Sequence, residues 1–349
     1  MSKQLENQAD QIEQILAMNR IPACVTGGTV MPRWVRFQVL PAAGARISAI
    51  KALADEMART LRVKECRIQR RGATVDIEIP RGDDARPVRL LPLQRQLEQL
   101  ETQRGGWRLP PVTATLGLDE DGAPLLIRLP SPDVGHILIS GVPGAGKTTL
   151  LHDIVLTLAM TNSPQQAAFL LVDPRGDAFP LFAGLPHLGR PIIQTPDEAI
   201  KVLQALVWLM EQRAGVSNPH VIVVIDNLVD LLVSGCDAIR DPLARLLQRG
   251  HEAGIHVVAA TQKPTADAVL FNNFPVRIVG KINDANEARV ASGWNGTGAE
   301  RLREQGEFIA LAEGRLTRFQ AAHVTAGEIS DTIDGLRGEG FGGPGGPGL

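Results

Sequence analysis

Eight consecutive residues carry the clearest chemical signal in this chain: Gly141, Val142, Pro143, Gly144, Ala145, Gly146, Lys147 and Thr148 fit the spacing G-x-x-x-x-G-K-[ST]. Glycines so placed let backbone N–H groups turn inward around phosphate oxygens, and the N-terminus of a following helix adds partial positive charge. Lys147 then reaches the β- and γ-phosphates, the Thr148 hydroxyl takes a place on Mg²⁺, and Thr149 continues the nucleotide-binding run. The plain alternative is a glycine turn between two elements. Context favours phosphate: an apolar strand over 136–140 runs into the loop and a helix over 148–160 leaves it. The ligands implied are ATP and Mg²⁺.

A magnesium shell needs a carboxylate at the end of a buried strand, and Asp226 supplies one directly after the apolar run 221–225. An acid there could instead cap the next helix; the upstream loop makes the metal role the better reading. Asn227 follows, where ATPases of the RecA kind with an additional strand place a Glu that polarises the attacking water. An amide can orient a water but cannot take its proton. Gln262, after the apolar run 256–260, stands at the carboxyl edge of the sheet, where it could sense the γ-phosphate; the alternative is a surface amide in a turn before Pro264. Arg277 opens a further apolar strand and Arg289 lies on the helix after it, so either could reach a neighbour's nucleotide as an arginine finger or be a solvated cation. The catalytic set expected is therefore Asp226, Asn227, Gln262 and Arg277, with Thr148 and Asp226 on the metal.

The elements that must position these groups change texture along the chain. Residues 3–18 read as an amphipathic helix, 34–40 as a strand, 47–61 as one helix, and 66–70 and 74–79 as two strands, a small α+β unit. Residues 94–135 read as a helix, a Gly/Pro-rich connector and a hairpin. From 136 onward, apolar strands over 136–140, 169–172, 221–225, 256–260 and 277–282 alternate with helices, as in a parallel sheet covered on both faces. The division expected is an N-terminal domain over 1–108, a nucleotide-binding domain over 109–337 and a disordered Gly/Pro tail over 338–349.

Composition narrows the function classes. The 349 residues are 44% hydrophobic with a net charge of −2, yet residues 31–108 carry sixteen Lys/Arg against nine Asp/Glu. That local excess of +7 hints at an anionic partner. Cys24, Cys66 and Cys236 have neither zinc spacing nor a disulfide framework, which suits a reducing cytoplasm. No apolar run reaches the roughly 18–20 residues of a membrane span, and the first residues are no signal peptide. A cytoplasmic protein without a membrane anchor is expected.

From about residue 5 to 337 the chain resembles the motor portion of the FtsK/SpoIIIE DNA translocases. The resemblance rests on ordered stretches: 29–61, the phosphate loop, Leu171-Val172-Asp173-Pro174-Arg175, Gly184-Leu185-Pro186-His187-Leu188, Met210-Glu211-Gln212-Arg213, 221–232, 253–264, 274–278 and 314–324. It implies an α/β fold, a RecA-like P-loop NTPase core behind a small N-terminal α+β domain, assembled as a hexamer around double-stranded DNA. Carried over by position, Lys147 and Thr148 bind nucleotide and Mg²⁺, Asp226 is the metal-shell acid, Asp230 a second acid, Gln262 the sensor and Arg277 the arginine before the next strand. Departures are Asn227 in place of the family's catalytic Glu, a shortened loop over 214–220, acids rather than lysines over 234–241, and a glycine-rich end where the family has a winged helix.

Three functions follow. The first is a ring-forming ATPase that translocates duplex DNA through phosphate contacts, independent of base sequence and sensitive to salt. The second is a nucleotide-gated scaffold with weak hydrolysis, because of Asn227. The third is an ATPase that moves protein, favoured by the less basic loops and opposed by the +7 stretch.

Overall fold

A computed structural model describes residues 3–31, 34–81, 87–103, 108–213, 215, 218–262, 264 and 268–338. The glycine-rich tail over 339–349 and most of the shortened loop at 214–217 lie outside the described residues. The chain divides into two compact units, Met1–Pro87 and Val88–Leu349. The division falls earlier than the expected boundary at 108. The helix Leu90–Gln103 buries Leu90 and Leu93 in the core of the second unit, and Leu90 N donates to His323 O at 3.2 Å.

In the first unit, helices α1 (Lys3–Met18), α2 (Ile47–Ala52) and α3 (Ala54–Thr60) accompany strands β1 (Ala23–Val30), β2 (Trp34–Pro41), β3 (Arg67–Arg71) and β4 (Thr74–Pro80). The strands form an antiparallel sheet in the order β1-β2-β4-β3. Alternation places Val35, Phe37, Val39, Val75, Ile77 and Ile79 in one core with Ile12, Ile15, Leu16, Ile50 and Met57. The opposite register positions are charged: Arg36, 3% exposed, pairs with Asp76 at 3.5 Å and Glu78 at 3.0 Å. The single helix expected over 47–61 is two, because Leu53, with ψ of 4°, serves as C-cap of α2 and N-cap of α3.

The second unit adds α4 (Leu90–Gln103), β5 (Thr113–Asp119), β6 (Pro124–Arg128), β7 (Ile137–Ser140), α5 (Lys147–Thr161), β8 (Ala167–Val172), α6 (Pro196–Gln212), β9 (His220–Ile225) and α7 (Leu228–Arg249). β10 (Ile255–Thr261), α8 (Ala268–Phe271), β11 (Val276–Val279), α9 (Ala285–Ser292), β12 (Glu307–Ala312), β13 (Arg315–Ala321) and α10 (Ala326–Leu336) complete it. Its nine-stranded sheet has the order β6-β5-β13-β12-β11-β7-β10-β9-β8. The five strands expected to be parallel are so, from β11 to β8. β12, β13, β5 and β6 extend them antiparallel. Residues 280–282, read as the end of a strand, leave the sheet at Gly280. β8 has both faces buried, and beyond it the bridges Phe169–Leu188 and Val172–Ile193 cover its outer edge. One core cluster includes the apolar face of α5, and a second cluster is formed with α6 and α7.

Candidate nucleotide site

β7 ends at Ser140 and the chain turns at once into the loop 141–146, from which α5 departs at Lys147. Gly144 and Gly146 have φ of +82° and +99°, a left-handed conformation that glycine adopts without a Cβ penalty. Space is also short at Gly146, where a Cβ would lie 3.0 Å from the backbone nitrogen of Gly306. Lys147 is 7% exposed, and its ammonium donates to the carbonyls of Gly141 and Val142, each at 2.9 Å. Burial holds its pKa below the ordinary lysine range, while the charge of Asp226 works the other way.

Thr148, in the first turn of α5, donates its hydroxyl to Asp226 Oδ2 at 2.5 Å. The pairing spans the sheet, because β10 lies between β7 and β9. Burial raises the pKa of Asp226; the Thr148 hydrogen bond and the Lys147 charge lower it, and Asp173 and Asp177 push it up again. A partly desolvated carboxylate among other acids, touching a hydroxyl, is a donor set suited to a hard cation. Among the described residues no group of three or more His, Cys, Asp or Glu could hold a metal by itself. A magnesium ion would thus need nucleotide phosphates to complete its shell, the usual arrangement for this ion. Thr148 and Asp226 fit that role.

The remaining expected residues are placed differently. Gln262 follows β10 and is exposed; Thr261 pairs with Ser140, so Gln262 stands beside the first residue of the loop. Asn227 is 5% exposed and its Oδ1 accepts the Val229 N–H at 3.2 Å, capping α7. Its carbonyl oxygen is therefore committed to the helix. Asp230, in the first turn of α7, lies 4.0 Å from Arg175, which also approaches Asp177 at 3.6 Å. Arg277 is turned into its own chain: its guanidinium donates to Asn272 Oδ1 at 2.8 Å, Val290 O at 3.1 Å and Phe271 O at 3.3 Å, joining the ends of α8 and α9. Arg289 is exposed on α9; its carbonyl accepts from Gly293 N, while its guanidinium makes no hydrogen bond or ion pair among the described residues. Sequence reasoning did not find the turn 303–306 that packs against the loop. Its one local sign is Gly306 just before an apolar strand.

A phosphate loop between strand and helix, an acid two strands away and an intervening strand define a RecA-like P-loop nucleotide-binding domain. Solved structures agree on the fold. The pCW3 conjugation coupling protein TcpA, a monomer form with ATPγS, superimposes with a TM-score of 0.60 at 19% identity, over 95% of this chain and 99% of that one. The cytoplasmic domain of the type VII secretion ATPase EccC from Thermomonospora curvata gives 0.55 at 25% identity, over 66% of this chain and 32% of that one. The profile of the FtsK/SpoIIIE family matches residues 97–217 and 214–266, and that of the FtsK alpha domain matches residues 1–81. The chain belongs to the FtsK/SpoIIIE family. A DNA translocase FtsK from Sporosarcina ureae is 27% identical across 95% of the chain. The chain spans 46% of that relative's length.

Proposed function

We propose that this chain is an ATP-driven motor that moves double-stranded DNA, working as a ring, with six copies the expected number. The observation that carries the reading is the contact of Thr148 with Asp226 beside a lysine held within the phosphate loop. In the motor, residues 141–149 would receive the phosphates of ATP, Lys147 would exchange its loop carbonyls for the β- and γ-phosphates, and Thr148 and Asp226 would hold Mg²⁺, which would supply charge neutralisation of the phosphates. Gln262 reads the γ-phosphate. Arg289, with its guanidinium uncommitted, is the better candidate than Arg277 to reach a neighbouring copy's nucleotide. The similarity to DNA translocases along 95% of the chain supports DNA as the substrate, together with the excess of cations over 31–108. Contact with phosphates makes movement independent of base sequence and weaker at high salt.

Turnover is slow in this reading, since Asn227 neither takes a proton nor has its carbonyl oxygen free. The test is ATP hydrolysis with and without long duplex DNA, for the native chain beside Lys147→Ala and Asn227→Glu. Stimulation of the native chain by DNA is the expected result. Hydrolysis only in Asn227→Glu would replace the motor with a nucleotide-gated scaffold. Nucleotide binding with no effect of DNA on either would favour a protein substrate, as the fold shared with a secretion ATPase allows.

A further inference from the structure

The loop that would hold the phosphates is itself held, on two sides, by one stretch of chain. On the first side Val142 N donates to Lys281 O at 2.8 Å, and the Lys281 ammonium donates to Glu300 O, also at 2.8 Å. On the other, Gln305 N donates to Gly144 O at 3.1 Å and Gly306 N to Ala145 O at 2.9 Å. The closeness favours glycine at 146, and the left-handed backbone of the turn favours glycine at 306. A Cβ on Gly146 would stand 3.0 Å from Gly306 N and 3.1 Å from Gly306 Cα, and Gly306 itself has φ of +91°.

The turn 303–306 is in turn pinned to the hairpin of β12 and β13. Ala321 N donates to Gly306 O at 2.7 Å, and Gln320 Nε2 donates to Gln305 O at 3.1 Å. Glu307, first residue of β12 and 5% exposed, accepts the Arg303 N–H at 2.7 Å and pairs with the Arg318 guanidinium across the hairpin. A buried carboxylate so bonded fixes the turn from below, and removing its charge leaves Arg318 without its buried partner.

We propose that residues 303–306 form a positioning clamp on the phosphate loop, anchored by Glu307. The physical basis is the rigidity of the peptide plane. Capture of the Gly144 and Ala145 carbonyls by the turn fixes the planes that also carry the N–H groups of Ala145 and Gly146, so these cannot rotate independently. Amides set in advance bind phosphate without the cost of ordering the loop. None of the clamp residues touches nucleotide; they act through the loop. The inference rests on the nucleotide reading of that loop.

The test is equilibrium binding of a fluorescent ATP analogue with Mg²⁺ to the full chain, beside the melting temperature without nucleotide. Glu307→Gln and Gly306→Ala are expected to weaken binding about tenfold, misplacement of positioned groups being costly at that scale. Gln320→Ala, a change at a half-buried side chain that removes the hydrogen bond to Gln305 O, should weaken it about threefold with little change in melting. Arg318→Lys, which keeps the ion pair, should bind as the native chain does, whereas Arg318→Ala should follow Glu307→Gln. Should Glu307→Gln fail to fold, Gln320→Ala and the two Arg318 variants decide. Native affinity in Gln320→Ala and Arg318→Ala, with binding lost in Lys147→Ala, would overturn the clamp and leave the nucleotide site standing. Absence of binding by the native chain would overturn both.

Discussion

Three neighbouring strands, β7, β9 and β10, build both edges of the parallel sheet, and the two edges handle polar side chains in opposite ways. At the carboxyl edge the strands deliver Lys147, bonded to its own loop, Asp226, bonded to Thr148, and Gln262, which is exposed. At the amino edge the same strands begin with histidines. His136 precedes β7, His220 opens β9 and His256 is the second residue of β10, and the His251 ring stands edge-on to His136 at 6.2 Å. His256 Nδ1 lies 2.9 Å from Gly135 O and must donate there, so its Nε2 accepts from His220 Nδ1 at 3.0 Å. Val257 N donates to His136 Nδ1 at 3.0 Å. The rings of His136 and His256 are neutral because burial, before any neighbouring charge, drives their protons off: His136 is lowered to about 3 and His256 to about 4. His220 is lowered as well, by burial and then by Arg213 and Arg128. One edge keeps polar groups available for a ligand, and the other consumes them in the fold. Substitutions at the first should cost binding, and at the second stability.

The largest effect expected is at the carboxyl edge. Lys147→Ala should abolish nucleotide binding, a loss of more than about a hundredfold by titration calorimetry, since a desolvated cation opposite a triphosphate is removed. Its melting temperature should stay near the native value, because what is lost internally is two hydrogen bonds from a lysine to its own loop.

At the amino edge the lever is acid. The folded pKa values lie below the unfolded histidine value of about 6.5, so below that pH the unfolded chain binds protons that the folded one refuses. Stability is present in full above about pH 6.5 and is lost as pH falls toward 4 and then 3, at up to about 1.4 kcal/mol per pH unit for each buried ring. Thermal unfolding between pH 7 and pH 5 checks this, and His136→Gln should flatten the slope. A slope unchanged in that variant would remove His136 from the account.

The smallest effect sharpens the contrast from inside α5, where Asp153 is fully buried and both its carboxyl oxygens are without a partner among the described residues. Burial raises its pKa well above the usual carboxylate range, so it stays protonated when folded. The unfolded chain gives up that proton above about pH 4, which lowers stability as pH rises. Asp153→Asn should raise the melting temperature by about 2–4 °C at pH 7 and leave it unchanged at pH 4.

The legible parts of this chain are those whose causes are local. The loop 141–148 fixes its own chemistry by spacing, and strands apolar on both faces announced the parallel sheet, down to Asp226 at the end of β9. The break at Leu53 was invisible because hydrophobic periodicity runs unbroken through a single changed ψ. Asn227 reads in sequence as a departure from the family's glutamate, yet an Asn directly before a helix is also a good N-cap, and that is the use the fold makes of it. Arg277 shows the limit from the other side: an arginine at a strand start reads as available until the carbonyls at the ends of α8 and α9 are placed around it. The clamp at 303–306 joins residues some 160 positions apart, and no window along the chain contains both.

The covered outer edge of β8 bears on how copies of this chain can associate. Leu188 and Ile193 already bridge to its open backbone, and at the far end of the sheet β6 is short, with Pro124 at its start and an exposed Arg128 at its finish. One margin is thus bridged and the other is short and begins with a proline, so each offers another molecule only a limited stretch of backbone to extend. A neighbouring copy meeting the nine-stranded sheet at either margin would therefore rest mainly on side-chain patches, contacts that can slip and re-form in a way that a continuous intermolecular β-ladder would forbid.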